Sequence, residues 1–392
     1  MITCSEESSM IITVHRGSHQ IGGCATEIKT KNSRIIIDTG SELDGNNPLK
    51  IEGVTEGKSD CDAILFTHYH GDHIGLLDTV NKDIPLYIGD VSLEIIKLQN
   101  HRKKLFEDTD IQRILPYHTA KPMMFGDIKV TPFMVDHSAF DAHLFLIEAD
   151  GKKVLHTGDF RNHGFRGKGL IPTLNKYIRK VDVVICEGTT LSRSNAASMT
   201  EYELSQKAAT LFKDNKYVFV VCASTNIDRI AGLCSAVPEG KYCLCDNYQS
   251  DILEVIKRKC EKFSPLYSFK KMCRYGKNLD EKMEKQGFCM FIRLGNYFST
   301  QLMEKYRDKN PLIIYSMWSG YLENNQELQE LVKGFRLTKL HTSGHADVET
   351  IGDILGMLQP SAVIPIHTDA PVEIPYDKDK IVSVCDGQEI VI

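Results

Sequence analysis

The chain has 392 residues, of which 42% are hydrophobic and 25% charged, and its 47 Lys and Arg against 52 Asp and Glu leave a net charge of −5. This composition excludes disordered, collagen-like and fibrous proteins, and the length allows about two domains, each large enough to bury its own core. The acidic balance also disfavours a protein whose whole surface binds nucleic acid, because phosphate binding usually requires a basic surface.

The cellular compartment is predicted from three features of the sequence. No apolar run approaches the roughly 20 residues that a membrane-spanning helix needs. The polar, acidic start at residues 1–9 is unlike a signal peptide. The 12 cysteines include no CxxC pair, which is typical of free thiols in a reducing compartment. We therefore expect a cytoplasmic protein with no membrane partner.

The first 190 residues are predicted to form mainly short strands separated by turns. A helix is expected over residues 92–105, where apolar residues recur with helical spacing. Apolar and alternating runs predict strands over 10–15, 26–30, 34–38, 63–67, 128–135, 144–148, 153–156 and 181–186.

After Thr190 the pattern changes to strands that alternate with helices. The predicted helices cover 199–214, 228–237, 326–333 and 348–358. The predicted strands cover 217–222, 242–245, 312–316, 337–341 and 362–367. Ser198 or Thr200, with Glu203 behind it, is expected to cap the first of these helices. This alternation is typical of parallel α/β units.

The densest group of metal-ligand side chains follows the predicted strand at 63–67. His68, His70, Asp72 and His73 lie within six residues. Strand alternation would point His68 and His70 the same way, while a turn at Gly71 would direct Asp72 and His73 toward a neighbouring point. A solvated polar loop is the alternative, but so tight a spacing favours a metal site.

Three more ligand-type residues follow other predicted strands. His137 comes after the strand at 128–135, Asp159 after 153–156, and His367 ends the strand at 362–367. Sites in α/β proteins gather at the carboxyl ends of strands, so these side chains can supply the ligands that two metals would otherwise lack. Asp159 is suited to bridge two ions, because it carries two oxygens on a short side chain.

These residues resemble the motifs of a known family. The pattern His68-x-His70-x-Asp72-His73, followed by His137, Thr157-Gly158-Asp159 and His367, resembles the metallo-β-lactamase superfamily. The runs 186–189, 342–346 and 365–367 resemble its β-CASP nuclease branch, and the ribonuclease J family is the most similar.

The resemblance implies an α/β fold, a metallo-β-lactamase αββα sandwich with an inserted β-CASP α/β domain. Residues 1–191 and 337–392 would form the metallo-β-lactamase domain, and residues 192–336 the β-CASP domain. The further C-terminal domain of the ribonuclease J family is expected to be missing.

The resemblance also implies roles for individual residues. His68, His70, His137 and Asp159 would form the first metal site. Asp72, His73, Asp159 and His367 would form the second. Asp72, His345 and Glu187 would be the catalytic residues, with His345 acting at the scissile phosphate and Glu187 supporting it. Imidazole-rich ligation suits two Zn²⁺ ions, while the two aspartates leave Mn²⁺ open.

The function implied by the resemblance is hydrolysis of RNA phosphodiester bonds by a water that two metal ions activate. The choice between endonuclease and 5′-exonuclease stays open, as does a homodimer. The alternatives are a DNA-directed β-CASP nuclease, a small-molecule metallo-hydrolase and, at lower rank, a non-catalytic RNA-binding subunit.

Substrate contacts are predicted at two helix starts and in one basic segment. Ser224, Asn226, Ser343 and His345 are candidates, because free amides at helix N-termini attract phosphate, although simple N-capping is the alternative for Ser224 and Asn226. Arg229 would contact nucleic acid or lie on the surface.

The segment 257–277 holds eight basic residues against one acidic residue. Tyr267, Phe269 and Tyr275 interleave with these charges, as base-stacking contacts to single-stranded RNA would. A solvated helix face is the alternative. A local basic segment of this kind would reconcile the acidic net charge with an RNA partner.

Overall fold

The computed structural model describes residues 9–43, 45, 47–193, 198–295 and 297–392. Most of the N-terminal segment used to predict the compartment therefore lies outside the described residues. The chain divides into two compact units. The first unit contains residues 1–162, 166–197 and 345–392, and the second contains residues 163–165 and 198–344.

Nineteen strands form in the described part of the chain. In chain order they are β1 (Ile11–Arg16), β2 (Ala25–Lys29), β3 (Arg34–Ile37), β4 (Ala63–Leu65), β5 (Leu86–Gly89), β6 (Ile114–Tyr117), β7 (Met123–Phe125), β8 (Ile128–Val135), β9 (Ala142–Ala149), β10 (Lys152–His156), β11 (Val183–Glu187), β12 (Tyr217–Val221), β13 (Tyr242–Cys245), β14 (Met272–Arg274), β15 (Phe288–Ile292), β16 (Leu312–Tyr315), β17 (Arg336–Lys339), β18 (Ala362–Ile366) and β19 (Glu389–Val391).

Twelve α-helices form in the same described residues. They are α1 (Gly71–Ile74), α2 (Asp90–Lys103), α3 (Asp108–Gln112), α4 (Leu170–Thr173), α5 (Glu201–Asp214), α6 (Ile227–Ala236), α7 (Asn247–Cys260), α8 (Asp280–Gln286), α9 (Tyr297–Lys305), α10 (Ser319–Asn324), α11 (Gln326–Val332) and α12 (Val348–Leu358). None of the helices in the described residues has the length and apolar character needed to cross a membrane.

The first unit contains two sheets. Seven strands form one sheet in the order β19-β1-β2-β3-β4-β5-β6, and six form the other in the order β18-β11-β10-β9-β8-β7. Side chains from both sheets, such as Ile28 and Leu65 of the first and Phe145 and Ile185 of the second, pack in one buried cluster. The two sheets therefore face each other across a shared apolar core.

The second sheet is covered on its other face by helices. Leu144, Leu155 and Val184 pack there with Ile351 and Leu355 of α12. Helix α12 is apolar on this side because its buried residues recur at helical spacing. These layers agree with the predicted metallo-β-lactamase sandwich.

Strand direction in the second sheet determines where the site forms. β10, β11 and β18 are mutually parallel, while β9 lies antiparallel between β8 and β10. β8 consequently runs in the same direction as β10, β11 and β18. The carboxyl ends of all four strands, and the loops that follow them, meet at one edge of the sheet.

The second unit contains one fully parallel sheet, with strand order β14-β13-β15-β12-β16-β17. Its core includes Phe219, Met290 and Ile313. Thr200 caps α5 in a capping box with Glu203, as predicted. The predicted alternation of strands and helices after Thr190 is confirmed.

The basic segment 257–277 is structured differently from the stacking surface that was predicted. It covers the end of α7, a short 3₁₀ turn and β14. Tyr267 and Phe269 are only 6% and 8% exposed. The Tyr267 hydroxyl donates a hydrogen bond of 2.8 Å to buried Asp228. Base stacking on these two rings was a wrong prediction, because both are needed to fill the core of the second unit.

Candidate metal centre

The histidine-rich loop begins directly after β4. His68 is fully buried, and His70 precedes the one-turn helix α1, which contains Asp72 and His73. Main-chain hydrogen bonds from Thr39 to the His73 carbonyl and from Ser41 to the Gly71 carbonyl hold this turn. The loop is therefore fixed by the neighbouring segment at 38–41, and its four ligand-type side chains have defined positions.

The first metal group consists of His68, His70 and His137. One ring nitrogen from each lies within 4.8 Å of the others. His70 Nδ1 and His137 Nε2 are 3.3 Å apart. Burial lowers the pKa of His70 to about 4 and holds that of His68 well below its ordinary value. Both imidazoles are consequently neutral at pH 7, which is the form that binds a metal ion.

Asp159 lies between this group and the second one. Its carboxyl group is 2% exposed. The distances from Oδ2 are 3.2 Å to His73 Nε2, 3.8 Å to His137 Nε2, and 3.9 Å to both His68 Nε2 and His367 Nε2. One carboxylate oxygen therefore faces ring nitrogens from both groups, as a bridging ligand would.

The second metal group consists of Asp72, His73 and His367. His367 Nε2 lies 3.2 Å from Asp72 Oδ2, and the His73 and His367 rings stack with centroids 5.3 Å apart. His367 follows β18 directly and has a positive φ of 53°, which turns its side chain away from the strand direction. Its main-chain N–H donates to the Gly17 carbonyl at 2.7 Å, and this bond holds the turn.

Charge balance in the second group differs from that in the first. Burial lowers the pKa of His73 and His367, but nearby carboxylates raise it by more, so both pKa values are raised overall. Asp159 and Asp38 raise the pKa of His73 well above its ordinary value, and Asp159 with Asp72 raises that of His367 to about 9. In the metal-free protein, protons on these two rings therefore balance the carboxylates, and a bound cation would replace them.

Two side chains that support the second group were not predicted. Asp38 is fully buried at φ 64°, directly after β3, and accepts a hydrogen bond of 2.8 Å from His73 Nδ1. The Thr67 amide and hydroxyl also donate to it, at 2.7 and 2.8 Å. These bonds fix the His73 ring with Nε2 directed to the site. The rule that identified Asp159, a carboxylate shortly after a strand, could also have identified Asp38, which follows β3.

His345 and Glu187 form the predicted pair beside the two groups. His345 Nδ1 donates to Glu187 Oε2 at 3.0 Å and lies 3.6 Å from Asp159 Oδ2. Glu187 is 1% exposed and accepts two further bonds, from the Phe160 amide at 2.9 Å and from the Thr189 hydroxyl at 2.7 Å. The carboxylate is thereby held in one position, and it orients the partly exposed imidazole.

Thr189 links this pair to the second metal group. Its Oγ1 lies 2.6 Å from His367 Nδ1 while its proton is donated to Glu187. His367 Nδ1–H is then the donor of that contact, which leaves Nε2 as the nitrogen available to a metal ion. The sequence motif at 186–189 contained Thr189, but only the structure shows what its hydroxyl contacts.

A buried ion pair supports the loop that carries His137. Asp136 Oδ1 accepts from Arg161 Nε at 2.7 Å, and both side chains are buried. The Arg166 amide donates to Asp136 Oδ2 at 2.8 Å. Removing either buried charge would leave its partner uncompensated, so this pair holds the His137 loop in place.

Four other predicted polar residues lie in the second unit. Asn226 caps α6 by accepting from the Arg229 amide, as the N-capping interpretation predicted. Arg229 is fully buried and donates to Glu201 at 2.7 Å, so both predicted roles for it, a nucleic-acid contact and a surface charge, were wrong. Ser224 is buried, and its hydroxyl has no hydrogen-bond partner among the described residues. The Ser343 carbonyl accepts from His163 Nε2 at 2.8 Å.

The donor set fits divalent metal ions. His68 Nε2 is buried and makes no hydrogen bond with any described residue. Burying a polar atom without a partner costs free energy, which a bound cation would recover. The remaining donors are imidazoles and carboxylates, a combination that suits Zn²⁺ and also accepts Mn²⁺.

The sequence is similar to a known domain family and to several ribonucleases. Residues 33–220 match the model of the β-lactamase superfamily domain. Ribonuclease J of Helicobacter pylori is 23% identical over 93% of this chain and 56% of that protein. An RNase J-like protein of Methanocaldococcus jannaschii is 28% identical over 46% of this chain and 42% of that protein. The chain thus spans about half the length of these curated relatives.

A solved structure extends the fold comparison. The crystal structure of a protein of unknown function from Enterococcus faecalis V583 superposes with a TM-score of 0.78. The match covers 98% of this chain and 100% of that one, at 19% sequence identity. At this identity the similarity establishes the fold alone.

Proposed function

We propose that this chain is a metal-dependent ribonuclease of the metallo-β-lactamase superfamily and its β-CASP branch, because residues 33–220 match the β-lactamase superfamily domain and most of the chain is similar to ribonuclease J. It would hydrolyse phosphodiester bonds in single-stranded RNA.

The observation that carries the proposal is the position of Asp159. Its Oδ2 lies within 4 Å of ring nitrogens in both metal groups. A buried carboxylate in this position is suited to hold two cations at once. His68, His70 and His137 would complete the first position, and Asp72, His73 and His367 the second. When bound, a pair of Zn²⁺ or Mn²⁺ ions would lower the pKa of a water and neutralise phosphoryl oxygens.

The chain's own residues would position the reacting groups. His345 donates Nδ1–H to Glu187, so the other ring nitrogen is the one that would face the leaving oxygen. A proton held at that nitrogen would stabilise the developing negative charge or pass to the leaving group. Glu187 would act as a positioning residue, because its bonds to Phe160 and Thr189 hold the imidazole at one angle.

The alternative role for His345 is that of a metal ligand. Ligand-type atoms of Asp159, Glu187, His345 and His367 lie within 4.8 Å of one another. Metal analysis of a His345→Ala variant separates the two roles, because a ligand variant loses metal and an acid variant loses only turnover.

The proposed ribonuclease activity includes an RNA-binding insertion and residues that contact the phosphates of the substrate. Residues 192–336 would be the β-CASP insertion that recognises RNA, with Ser224 and Asn226 as phosphate contacts within it and Ser343 as a further contact beyond its end. A Ser224→Ala variant should raise KM for RNA while leaving metal content unchanged. An unchanged KM would remove Ser224 from the substrate contacts.

A direct assay tests the proposed activity. The metal-loaded protein is given end-labelled single-stranded RNAs with a 5′-monophosphate, 5′-triphosphate or 5′-hydroxyl, together with DNA of the same sequence. We expect metal-dependent cleavage of RNA, and product length distinguishes endonuclease from 5′-exonuclease cleavage. Preference for DNA would replace the ribonuclease proposal with a DNA-directed one. Failure on every nucleic acid would favour a small-molecule substrate.

A further inference from the structure

A cysteine thiol lies beside the second metal group. Cys24 is 2% exposed, and its Sγ lies within 4.8 Å of ring nitrogens of His73 and His367. His73 Nε2 is itself buried and lies 3.2 Å from Asp159 Oδ2. One potential metal-donor atom from each of Cys24, His73 and His367 therefore lies within 4.8 Å of the other two.

The position of Cys24 is fixed by the segments that carry the metal groups. Its main-chain N–H donates to the Asp72 carbonyl at 3.0 Å, and its carbonyl accepts from Gly40 at 2.9 Å. Gly17, at φ 102°, passes close to the sulfur: a Cβ there would lie 3.5 Å from Cys24 Sγ. The Gly17 carbonyl also accepts from the His367 amide. The sulfur is thus held by the loops that position the two imidazoles.

A second buried cysteine of the same unit shows a different environment. The Cys61 thiol donates to the main-chain carbonyls of Arg34 and Ala63, at 3.5 and 3.3 Å. For Cys24, no hydrogen bond of Sγ is seen within the described residues, and its neighbours are ring nitrogens. Cys61 is an ordinary buried thiol, whereas Cys24 has the surroundings of a ligand.

We propose that Cys24 is a sulfur ligand of the second metal position and that it biases this position toward soft cations. The proposal rests on the metal centre described above. On binding, the S–H bond is replaced by a sulfur–metal bond, and the proton leaves to solvent. Thiolate ligands favour Zn²⁺, Co²⁺ and Cd²⁺ over Mn²⁺ and Mg²⁺. The second position would therefore discriminate between metals more strongly than the first, which has three imidazoles.

The test uses the full chain, stripped of metal by a chelator and reloaded with Co²⁺ or Cd²⁺. We expect the wild-type protein to develop a sulfur-to-metal charge-transfer absorption as the second of two equivalents binds. The band should disappear in Cys24→Ala and Cys24→Ser and persist in Cys61→Ala. Cys24→Ser should weaken Cd²⁺ binding at the second position by about tenfold or more and change Mn²⁺ binding little.

A measurement on the wild-type chain alone covers the case in which a variant fails to fold. The ¹¹³Cd NMR spectrum should contain one resonance shifted downfield by sulfur ligation and one typical of nitrogen and oxygen ligands. Two resonances of the second kind, or a charge-transfer band that persists in Cys24→Ala, would overturn the role of Cys24 and leave the metal centre intact. A chain that binds no Cd²⁺ would overturn both.

Discussion

The two halves of the candidate metal centre are built from different chemistry. His68, His70 and His137 offer three imidazoles, and burial keeps His68 and His70 neutral. The second half combines Asp72 with His73 and His367, whose pKa values are raised by neighbouring carboxylates. The first half is therefore ready to accept a cation at neutral pH, whereas the second must release protons first. Asp159 belongs to both, so it is the residue through which the halves are coupled.

Removing the shared ligand should have the largest effect. Asp159→Asn takes a charged ligand from both halves at once, so we expect metal content to fall below one ion per chain. RNA cleavage should fall by at least about a thousandfold. Elemental analysis and a cleavage assay measure both quantities. Asp353→Asn, an exposed substitution on α12, is the matched control. Retention of two tightly bound ions by Asp159→Asn would contradict the bridging role.

Removing ligands of the second half alone tests whether the halves can be separated. Asp72→Ala and His73→Ala should each reduce metal content from two ions to about one and abolish hydrolysis, while circular dichroism shows an intact fold. The first half should keep its ion because none of its three imidazoles is changed. His101→Ala, at the exposed end of α2, should behave as wild type. A fully active Asp72→Ala protein would be incompatible with the metal assignment.

The pair beside the two halves should affect turnover and not metal binding. His345→Ala should reduce kcat by about a hundredfold or more, the usual contribution of a general acid. Metal content should stay within experimental error of the wild type. An unchanged kcat would remove His345 from the mechanism, and loss of an ion would assign it to the ligands instead.

A smaller and more selective effect is expected at Asp38. Asp38→Asn keeps the size of the side chain but removes the charge that His73 Nδ1 contacts at 2.8 Å. We expect metal affinity at the second position to fall by about 10- to 100-fold, as is usual for residues that orient a ligand. Affinity at the first position should not change. Calorimetric titration of both sites measures this, and an equal loss at both would show that Asp38 supports the whole fold.

The pH dependence of metal binding should also distinguish the halves. The pKa of His367 is raised to about 9, so below that pH a proton competes with the cation, and affinity at the second position falls as the pH is lowered. Burial lowers the pKa of His70 to about 4, so at neutral pH a proton on this ring should not compete with a cation at the first position. Metal titrations at pH values from about 8 to about 6 measure the affinity of each position and check this difference. Parallel losses at both positions would contradict the difference in charge balance.

Many of the secondary-structure elements and much of the candidate metal centre were predictable from local sequence patterns. The short strands, the change to alternating strands and helices after Thr190, and the capping box at Thr200 follow from periodicity and turn chemistry. The clustering of ligand-type side chains was predictable for a similar reason. Each of His68, His137, Asp159 and His367 follows a strand closely, and strand ends converge at one edge of a sheet.

The errors occurred where burial overrode composition. Arg229, Tyr267 and Phe269 have the side chains of a nucleic-acid contact, but each is buried in the second unit. Sequence spacing cannot show that Glu201 will neutralise Arg229, 28 residues away, because this pairing depends on how α5 and α6 pack. A residue type suggests what a side chain can contact, and packing decides whether it is exposed.

The sequence by itself determined many of the strands and helices, the change of pattern after Thr190 and the identity of the residues that could bind metal. Those properties depend on residue types and on spacings of a few positions. Tertiary structure alone decided that Asp38 orients His73, that Thr189 connects Glu187 with His367, and that Cys24 lies beside the second metal group. The contact between Thr189 and His367, for example, joins residues 178 positions apart. These contacts exist only because two sheets close over one core and bring their loops to the same place.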